Sequence, residues 1–320
     1  MNGCILVATD GELRSLGAVR CASDLGRRLN LPVEVVSVCE LASVFGYEST
    51  DLVAGVASEI AQRACEMRRS RVLEQLPPDV ADRARVHVEV GSLASVIARL
   101  AEERDAHCVV VGRSVPSAVD RLLGDETAPR LMQAAHVPML AVPAEYGELP
   151  SKALAAIDFT SYSLDAARTA ATFLEPGGEL HLVHAIAKES GVALPSAIRA
   201  EWARAMREEL ASRMDEVVRR LGQEFPHLRV VGHLAEGRPV PAVLRLTDEL
   251  EAELLASGTN GYGFLGRLLM GSVATQLVRR ARCLTLVAPP RGIVPTGEKG
   301  WRDIFQADAL REDRPVVASQ

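Results

Sequence analysis

The same series of landmarks occurs twice along this chain of 320 residues, at a nearly constant separation. Two apolar runs end in aspartate, at Asp10 and at Asp158, which are 148 positions apart. Four further landmarks recur 146 positions apart: a glycine after a β-like run (Gly91 and Gly237), a glycine that closes an apolar run (Gly112 and Gly258), an Arg-Leu-Leu triplet (at Arg121 and Arg267) and a final apolar run (138–143 and 284–289). A domain-sized period predicts two tandem copies of one fold rather than a solenoid.

The two copies set the expected domain boundaries. We expect one domain over 1–145 and a second over 150–290, joined by a short, turn-rich linker. Residues 291–320 match neither copy and are expected to form a loose C-terminal tail. A cluster of large apolar residues in this tail leaves open that it docks on the body of the protein or on a partner (Trp301, Ile304 and Phe305).

Short apolar runs alternate with amphipathic stretches in both copies. The apolar runs are nearly continuous, which is typical of strands that helices cover on both faces. The predicted strands are 3–9, 32–39, 85–90, 107–111 and 138–142, then 152–157, 179–185, 228–234, 253–257 and 283–288. The predicted helices are 12–29, 51–76, 92–104 and 125–135, then 161–175, 194–223, 239–250 and 272–281. This alternation predicts two tandem Rossmann-like, doubly wound α/β domains, each with a five-stranded parallel sheet.

Composition and charge narrow the function classes. With 48% hydrophobic residues, 24% charged residues and a formal net charge of −6, the chain can build two cores but has no excess of basic residues. Nucleic-acid and anionic-membrane surfaces normally need a clustered basic face, so neither partner is expected. No stretch is long enough to span a bilayer and no signal peptide is evident, so we expect a cytoplasmic protein. The six cysteines form no C-x-x-C pair and are expected to be scattered, buried, reduced thiols.

A glycine-rich run in the second copy is the strongest candidate for a binding site. It reads GTNGYGFLGRLLMGS, from Gly258 to Ser272, and lies between an apolar segment and a predicted helix. Backbone N–H groups at Gly258 to Gly261, and at the helix start beside Gly271, can hold the anionic oxygens of a phosphate chain. The alternative is two tight turns with Ser272 as a helix N-cap, which needs no ligand.

Four features of the second copy are expected to meet at one edge of its sheet, because ligands of open α/β sheets bind at the carboxyl ends of strands where the strand order reverses. Asp158 ends the first strand, His184-Ala185 the second and Gly258 the fourth. Gly271-Ser272 begins the last helix. Asp158 could accept a hydrogen bond from a base or a ribose, or it could be the N-cap of the helix that starts near Ser161. His184 is expected to be a strand-end residue with a satisfied hydrogen bond rather than a catalyst.

Several catalytic signatures are absent from the sequence. There is no Walker A motif, so phosphoryl transfer of the P-loop type is unsupported. The dinucleotide fingerprint G-x-G-x-x-G is missing from both first strand–helix turns, which read Asp-Gly-Glu and Asp-Phe-Thr. No Ser-His-Asp or Cys-His arrangement follows from the spacing, and H-E-x-x-H does not occur. We therefore expect a binding protein without dedicated catalytic machinery.

These motifs resemble the universal stress protein family over both copies. They are ILVATDG and LAAIDFTS at the first strands, LVHA at the second strand of the second copy, VEVGSLASVI and AEGRPVPAVL at the third turn, and GTNGYGFLGRLLMGSVATQLVRRARCLTLV at the end. The family's ATP-binding pattern, G-x2-G-x9-G-[S/T], is matched at all four positions, which are Gly258, Gly261, Gly271 and Ser272. The resemblance implies the adenine nucleotide alpha hydrolase-like form of the Rossmann-like fold.

The resemblance also implies a ligand and a mode of assembly. The four matched positions would contact the phosphates of ATP, with or without Mg²⁺, while Asp158 and the backbone of Ala185 would lie near the adenine or ribose. The family implies dimer-like pairing through the last strand of each fold. That pairing would form either a homodimer or, between the two copies of one chain, an intramolecular pseudo-dimer.

The first copy departs from this pattern. Val115, Asp125 and Glu126 replace, in order, the second glycine, the third glycine and the serine of the ATP-binding pattern. Valine does not readily adopt a positive φ, and two carboxylates at a helix N-terminus repel a phosphate there. We therefore expect one nucleotide per chain, in the second copy only. Gly124 lies one position early and leaves open a shifted loop in the first copy.

Three functions remain open on the sequence alone. The leading hypothesis is a tandem stress protein that binds ATP in its second domain and acts, with an unknown protein partner, as a nucleotide-linked regulator of the stress response. A weak ATP hydrolase is less favoured, because neither a catalytic base nor a metal cluster is evident. A non-catalytic interaction module without nucleotide is the third, with the glycines serving only as turns.

Overall fold

The described part of the chain comprises residues 3–40, 51–113, 137–186, 196–259 and 272–289 of a computed structural model. These residues belong to one compact unit, Met1–Pro290. The predicted helix at 125–135 and the expected tail at 291–320, with its apolar cluster, lie outside the described residues. We refer to the two copies of the fold as the first and the second repeat.

The first repeat follows the predicted order of elements. Strands β1 to β5 are Cys4–Ala8, Val33–Cys39, Arg85–Val90, Ala106–Arg113 and Met139–Pro143, and helices α1 to α4 are Leu16–Leu29, Asp51–Gln75, Pro78–Ala81 and Leu93–Glu103. Two details differ from the predictions. A 3-10 turn, Leu13–Ser15, precedes α1 because the Ser15 N–H donates to the Glu12 carbonyl, so the α-helix starts later than residue 12. The single turn α3, which the sequence analysis misses, begins at a proline, a residue favoured in the first turn of helices.

The second repeat contains every element predicted for it, with ends shifted by no more than two residues. Strands β6 to β10 are Lys152–Ala156, Glu179–Ile186, Arg229–Glu236, Leu254–Gly258 and Leu284–Ala288, and helices α5 to α8 are Ser161–Phe173, Ser196–Glu224, Pro239–Glu249 and Ser272–Arg280. Several ion pairs of α6 join exposed side chains along the helix, such as Arg213 to Glu209, so this part of the helix surface faces solvent. Among the helices of the described segments, none has the length and apolar character needed to cross a bilayer.

All ten strands form a single sheet in the order β3-β2-β1-β4-β5-β10-β9-β6-β7-β8. Within each repeat every neighbouring pair is parallel. Both repeats therefore have the same strand order, with their first strand between the second and the fourth. This topology confirms the predicted pair of Rossmann-like, doubly wound parallel sheets.

The two sheets join through their last strands. β5 and β10 run antiparallel, with Leu286 opposite Leu140 and Val287 opposite Met139. This is the only antiparallel pair among the described strands. The pairing implied by the family resemblance therefore occurs here between the two repeats of one chain.

Helices cover both faces of the sheet. Helices α1, α2, α5 and α6 pack on one face over an apolar core that is continuous across both repeats. Helices α4, α7 and α8 cover the opposite face. Helix α8 crosses the junction between the repeats. Its residues Ala274 and Val278 pack in a cluster of first-repeat side chains. Leu277, together with Ala281 just after the helix, packs in a cluster of second-repeat side chains. Helix α8 therefore packs against both repeats on this face of the sheet.

The cysteines agree in part with the expectation of buried, reduced thiols. All six are free. Four of them are buried, namely Cys4, Cys21, Cys39 and Cys108. The other two, Cys65 and Cys283, are partly exposed.

Shortening Leu140 should weaken the whole unit, since its side chain is 2% exposed and its strand joins the repeats. We expect Leu140→Ala to lower the free energy of unfolding by about 2–5 kcal/mol, measured by urea denaturation. Leu13→Ala is the matched control, because Leu13 is 72% exposed and its loss should change stability by no more than about 0.5 kcal/mol. Equal effects of the two substitutions would contradict the described core.

Candidate functional site

The second repeat presents an edge at which the carboxyl ends of β6 and β9 lie side by side. The two strands are paired in parallel, with Ala156 opposite Ser257. The strand that follows β6 in sequence, β7, lies on its other side, so the strand order reverses at this point. Such a switch point is the usual ligand position in open α/β sheets.

The turn after β6 holds Asp158 in a fixed position. One carboxylate oxygen of Asp158 accepts hydrogen bonds from the backbone N–H of Thr160, at 3.1 Å, and from its hydroxyl. The backbone N–H of Asp158 donates to the Ser163 hydroxyl at 3.1 Å. Thr160 is the N-cap of α5, because its side chain accepts from the Ser163 N–H. The alternative role foreseen for Asp158, the N-cap itself, is therefore wrong. Asp158, two residues earlier, instead accepts hydrogen bonds from the capping residue.

Phe159, the residue between them, has an unusual backbone. Its φ is 64°, in the left-handed region that favours glycine. The corresponding residue of the first repeat is Gly11, with φ of 70°. Both residues therefore have a left-handed φ, but the second repeat carries a large side chain there. Phe159 also lines a cleft of about 440 Å³ between α5 and α6, which lies next to the Asp158 turn.

The end of β7 completes the edge on the other side of Asp158. His184 donates from Nδ1 to the Ile157 carbonyl oxygen at 2.9 Å, so this histidine ties β7 to the turn, as expected for a structural residue. Its ring lies 4.7 Å from that of Phe159. Ala185 is half-buried and pairs in register with Ala235 of β8. The structure thus places Asp158 and Ala185 on adjacent strand ends.

Gly258 ends β9 where that strand touches the start of α5. A Cβ at this position would lie 3.0 Å from the Tyr162 carbonyl oxygen and 3.3 Å from the Ser163 nitrogen. The glycine therefore lets strand and helix approach closely, whether or not a ligand is bound. Beyond it, the Thr259 N–H donates to the Ala288 carbonyl at 3.1 Å, which extends the pairing with β10.

Ser257 was missed by the sequence analysis. Its side chain is 4% exposed, and its hydroxyl oxygen has no hydrogen-bond partner in the described structure. A buried hydroxyl without a partner costs roughly 1–3 kcal/mol, so it calls for an explanation such as a bound water or ligand. The corresponding residue of the first repeat is Val111, which is buried and carries no polar group. Ser37 of β2 has a similar unpartnered hydroxyl, but it lies in the first repeat.

The helix expected to receive phosphate begins at this edge. Ser272 is the first residue of α8 and is exposed, and the first turn of α8 contains no acidic residue. A helix N-terminus of this kind favours an anion. Gly261 and Gly271 lie outside the described residues, as do the first-repeat replacements Val115, Asp125 and Glu126. Within the described ranges no group of three or more metal-ligating side chains occurs.

A separate polar cluster occupies equivalent positions of the two repeats. In the second repeat, His181 Nδ1 and His233 Nε2 are 2.8 Å apart, and Glu179 bonds to His181 Nε2 at 3.2 Å and to Arg229 at 2.8 Å. In the first repeat, His87 instead contacts the Glu34 carboxylate at 2.7 Å. Burial and the neighbouring His181 lower the pKa of His233 below its usual value. With His233 neutral, one ring of the pair can accept the hydrogen bond that the other donates.

The fold defines the class of protein. Two tandem parallel sheets with the same strand order, each covered by helices on both faces, constitute a two-domain Rossmann-like protein of the adenine nucleotide alpha hydrolase-like type.

The chain belongs to the universal stress protein family, whose family model matches it twice, over residues 1–143 and 151–289. Universal stress protein MJ0531 of Methanocaldococcus jannaschii is 26% identical over 131 residues, which are 41% of this chain and 76% of that protein. Universal stress protein Rv2005c of Mycobacterium tuberculosis is 43% identical over 56 residues, 18% of each chain. The crystal structure of a universal stress protein from Archaeoglobus fulgidus covers 91% of this chain and 97% of its own, with a TM-score of 0.57 and 19% identity. These findings confirm the expected family and fold.

Adding a methyl group at Gly258 should be costly, because the new Cβ would meet backbone atoms that cannot rotate away. We expect Gly258→Ala to destabilise the protein by about 1–3 kcal/mol in urea denaturation. The matched control is Gly112→Ala in the first repeat, where the added Cβ would be 3.4 Å from Ser15 Cα, an ordinary contact. That substitution should be neutral or stabilise by up to about 1 kcal/mol. A Gly258→Ala variant as stable as the control would refute the close approach.

Acidification should destabilise the protein through His233. Its pKa in the folded chain is below the ordinary value of 6.5, so the unfolded chain binds the proton more readily. The stability contribution is therefore complete above pH 6.5 and is lost as the pH falls through 6.5 towards the folded-state pKa. Urea denaturation at pH 7.5 and 5.5 should show a loss that His233→Gln reduces. His87→Gln, at the equivalent first-repeat position, should leave that loss in place; the idea fails if the His233 variant keeps the full loss.

Proposed function

We propose that the second repeat binds one ATP, with Mg²⁺ carried on its phosphates, at the edge formed by the carboxyl ends of β6 and β9. We further propose that the protein is a cytoplasmic, nucleotide-linked regulator of the stress response. In this view the chain consists of two domains, 1–145 and 150–290, of which only the second takes nucleotide, followed by a tail, 291–320.

One observation supports this proposal above the others. In the second repeat the fixed Asp158 carboxylate and the strand end at Gly258 follow adjacent paired strands, and α8 starts at Ser272 with no acidic residue in its first turn. The hydroxyl of Ser257, which has no hydrogen-bond partner among the described residues, lies one residue before the proposed phosphate loop. A ligand rich in hydrogen-bonding groups would satisfy it, and the first repeat has valine there instead.

The roles of the individual residues follow from the chemistry of the groups. Backbone N–H groups at Gly258, Gly261 and Gly271 would hold phosphate oxygens, and the Ser272 hydroxyl would donate to a further one. The Asp158 carboxylate, held by Thr160, would accept from a ribose hydroxyl or an adenine amino group. The half-buried backbone of Ala185, on the adjacent strand end, would complete the base or ribose contacts.

The described residues around this edge favour binding over turnover. His184 uses Nδ1 to hold the Ile157 carbonyl, which supports a structural role for this histidine. Mg²⁺ is typically held by phosphates and only one or two carboxylates, so a dedicated metal cage is not required for an ATP complex. The nucleotide then acts as a signal, and an unidentified protein partner would read the loaded state. Self-association into a homodimer of whole chains would add to the pairing already present between the repeats.

Calorimetric titration with Mg·ATP tests the proposal directly. We expect close to one ATP per chain. Gly271→Asp, which copies Asp125 of the first repeat, should weaken binding by at least about 100-fold, equivalent to roughly 3 kcal/mol, because a carboxylate would face the phosphates.

The control variant introduces the same charge elsewhere. Gly222→Asp in α6 adds a carboxylate where a side chain meets open space, so its affinity should match that of the unaltered protein. Absence of ATP binding in every variant would sink the proposal and leave the interaction module. Slow phosphate release that disappears with Gly271→Asp would instead indicate a weak hydrolase.

A further inference from the structure

Two cysteines that are distant in the sequence meet at the carboxyl end of β2. Cys39 is the last residue of β2 and is 5% exposed, while Cys65 lies in α2 and is half-buried. The Cys39 thiol donates to the carbonyl oxygen of Ala64 at 3.9 Å. The Cys39 sulfur therefore lies against the backbone of the residue next to Cys65, and the nearby Cys39 also raises the pKa of the Cys65 thiol. We propose that Cys39 and Cys65 form a reversible disulfide, which makes this end of the first repeat a thiol-oxidation site for hydrogen peroxide or a related peroxide.

Access distinguishes this pair from the other thiols of the first repeat. Cys21 and Cys108 also lie near each other, but they are only 1% and 0% exposed. Burial raises the pKa of Cys108 to about 12, so that thiol stays protonated and unreactive. Cys65 is the one member of the two pairs that solvent reaches. Its partner Cys39 is buried beneath α2, where its thiol can react with an oxidised Cys65 sulfur before a second peroxide does.

The chemistry balances with peroxide as the sole oxidant. The Cys65 thiolate attacks one peroxide oxygen, the O–O bond breaks, and the released hydroxide takes up a proton to become water. The sulfur of Cys39 then attacks the Cys65 sulfenic acid, the S–O bond breaks, and the leaving hydroxyl takes the Cys39 proton as a second water. Two thiols are oxidised to one disulfide while one peroxide is reduced to two waters. A dithiol reductant reverses the bond by exchange.

The bond would fix α2 against the sheet near the first-repeat turn. One helical turn after Cys65, Arg68 donates to the Asp10 carbonyl oxygen at 2.7 Å. Asp10 is the first-repeat counterpart of Asp158. A covalent link at Cys65 therefore restrains the part of α2 that contacts the turn of the first repeat. This site does not depend on nucleotide binding by the second repeat.

The rate of oxidation should depend on pH in one direction. Burial, together with the neighbouring Cys39 thiol, raises the pKa of the Cys65 thiol, and the Arg68 cation lowers it in part. Because the thiolate is the attacking species, the reaction accelerates as the pH rises, by about tenfold per unit while the pH stays below the thiol pKa.

Peptide mapping of the full-length protein tests the site. The protein is treated with hydrogen peroxide, its remaining thiols are blocked with N-ethylmaleimide, and the digest is analysed without reductant. We expect a peptide that links Cys39 to Cys65, about 2 Da lighter than the two separate thiol peptides. It should form faster at pH 8 than at pH 7 and disappear with dithiothreitol. Mapping the unaltered protein requires no variant to fold.

Matched variants identify the sulfurs involved. Cys39→Ser and Cys65→Ser should each abolish the linked peptide, whereas Cys283→Ser, which removes the other partly exposed thiol, should leave it unchanged. In Cys39→Ser, Cys65 should advance to sulfinic acid because its resolving partner is gone. The proposal is overturned if Cys65 of the unaltered protein is blocked in full by the maleimide after peroxide treatment. It is also overturned if the linked peptide joins Cys65 to another cysteine or to a second chain.

Discussion

The antiparallel pairing of β5 with β10 is the contact on which the rest of the structure depends. Each repeat alone would expose its last strand at the edge of its sheet, with unpaired N–H and C=O groups that can pair with another chain. Pairing the two last strands satisfies both edges and buries Met139 and Leu140 against Leu286 and Val287. Because the same edge of each repeat is used, the sheets are related by an approximate two-fold axis, and the two sets of carboxyl ends belong to opposite halves of one ten-stranded sheet.

The two repeats share this scaffold but differ at equivalent positions near the strand ends. The left-handed turn after the first strand is glycine in one repeat and Phe159 in the other, with nearly equal φ values. The fourth strand carries a buried valine in one repeat and the unpartnered Ser257 in the other. The pair between the second and third strands is His–Glu in the first repeat and His–His in the second. The backbone tolerates these exchanges because strand order and register fix it, so the repeats can diverge in chemistry without diverging in fold.

The sequence predicts the fold almost completely, since apolar runs and helix periodicity are local signals and the constant offset supplies an internal check. The antiparallel register at Leu140 and Leu286 could not be predicted from it, because pairing between distant strands is not a local signal. The family resemblance implied only that the last strands pair. Of the site, the positions of Asp158 and Gly258 follow from strand ends. The partnerless hydroxyl of Ser257 does not, because an unsatisfied group is defined by neighbours that only the folded chain supplies. The meeting of Cys39 with Cys65 is missed for the same reason, as no sequence spacing encodes it.

Helix α8 gives the proposed nucleotide site a physical route to the first repeat. Its first residue, Ser272, stands at the proposed phosphate loop, whereas Ala274 and Val278 of the same helix pack among first-repeat side chains. A close-packed helix moves as a unit, so a shift of its first turn must be accommodated on both sides of the seam. The proposed thiol pair involves α2, which packs on the other face of the sheet. Nucleotide and peroxide would then act from opposite faces on the same sheet, and coupling between them could pass through α8 or through the paired strands β5 and β10.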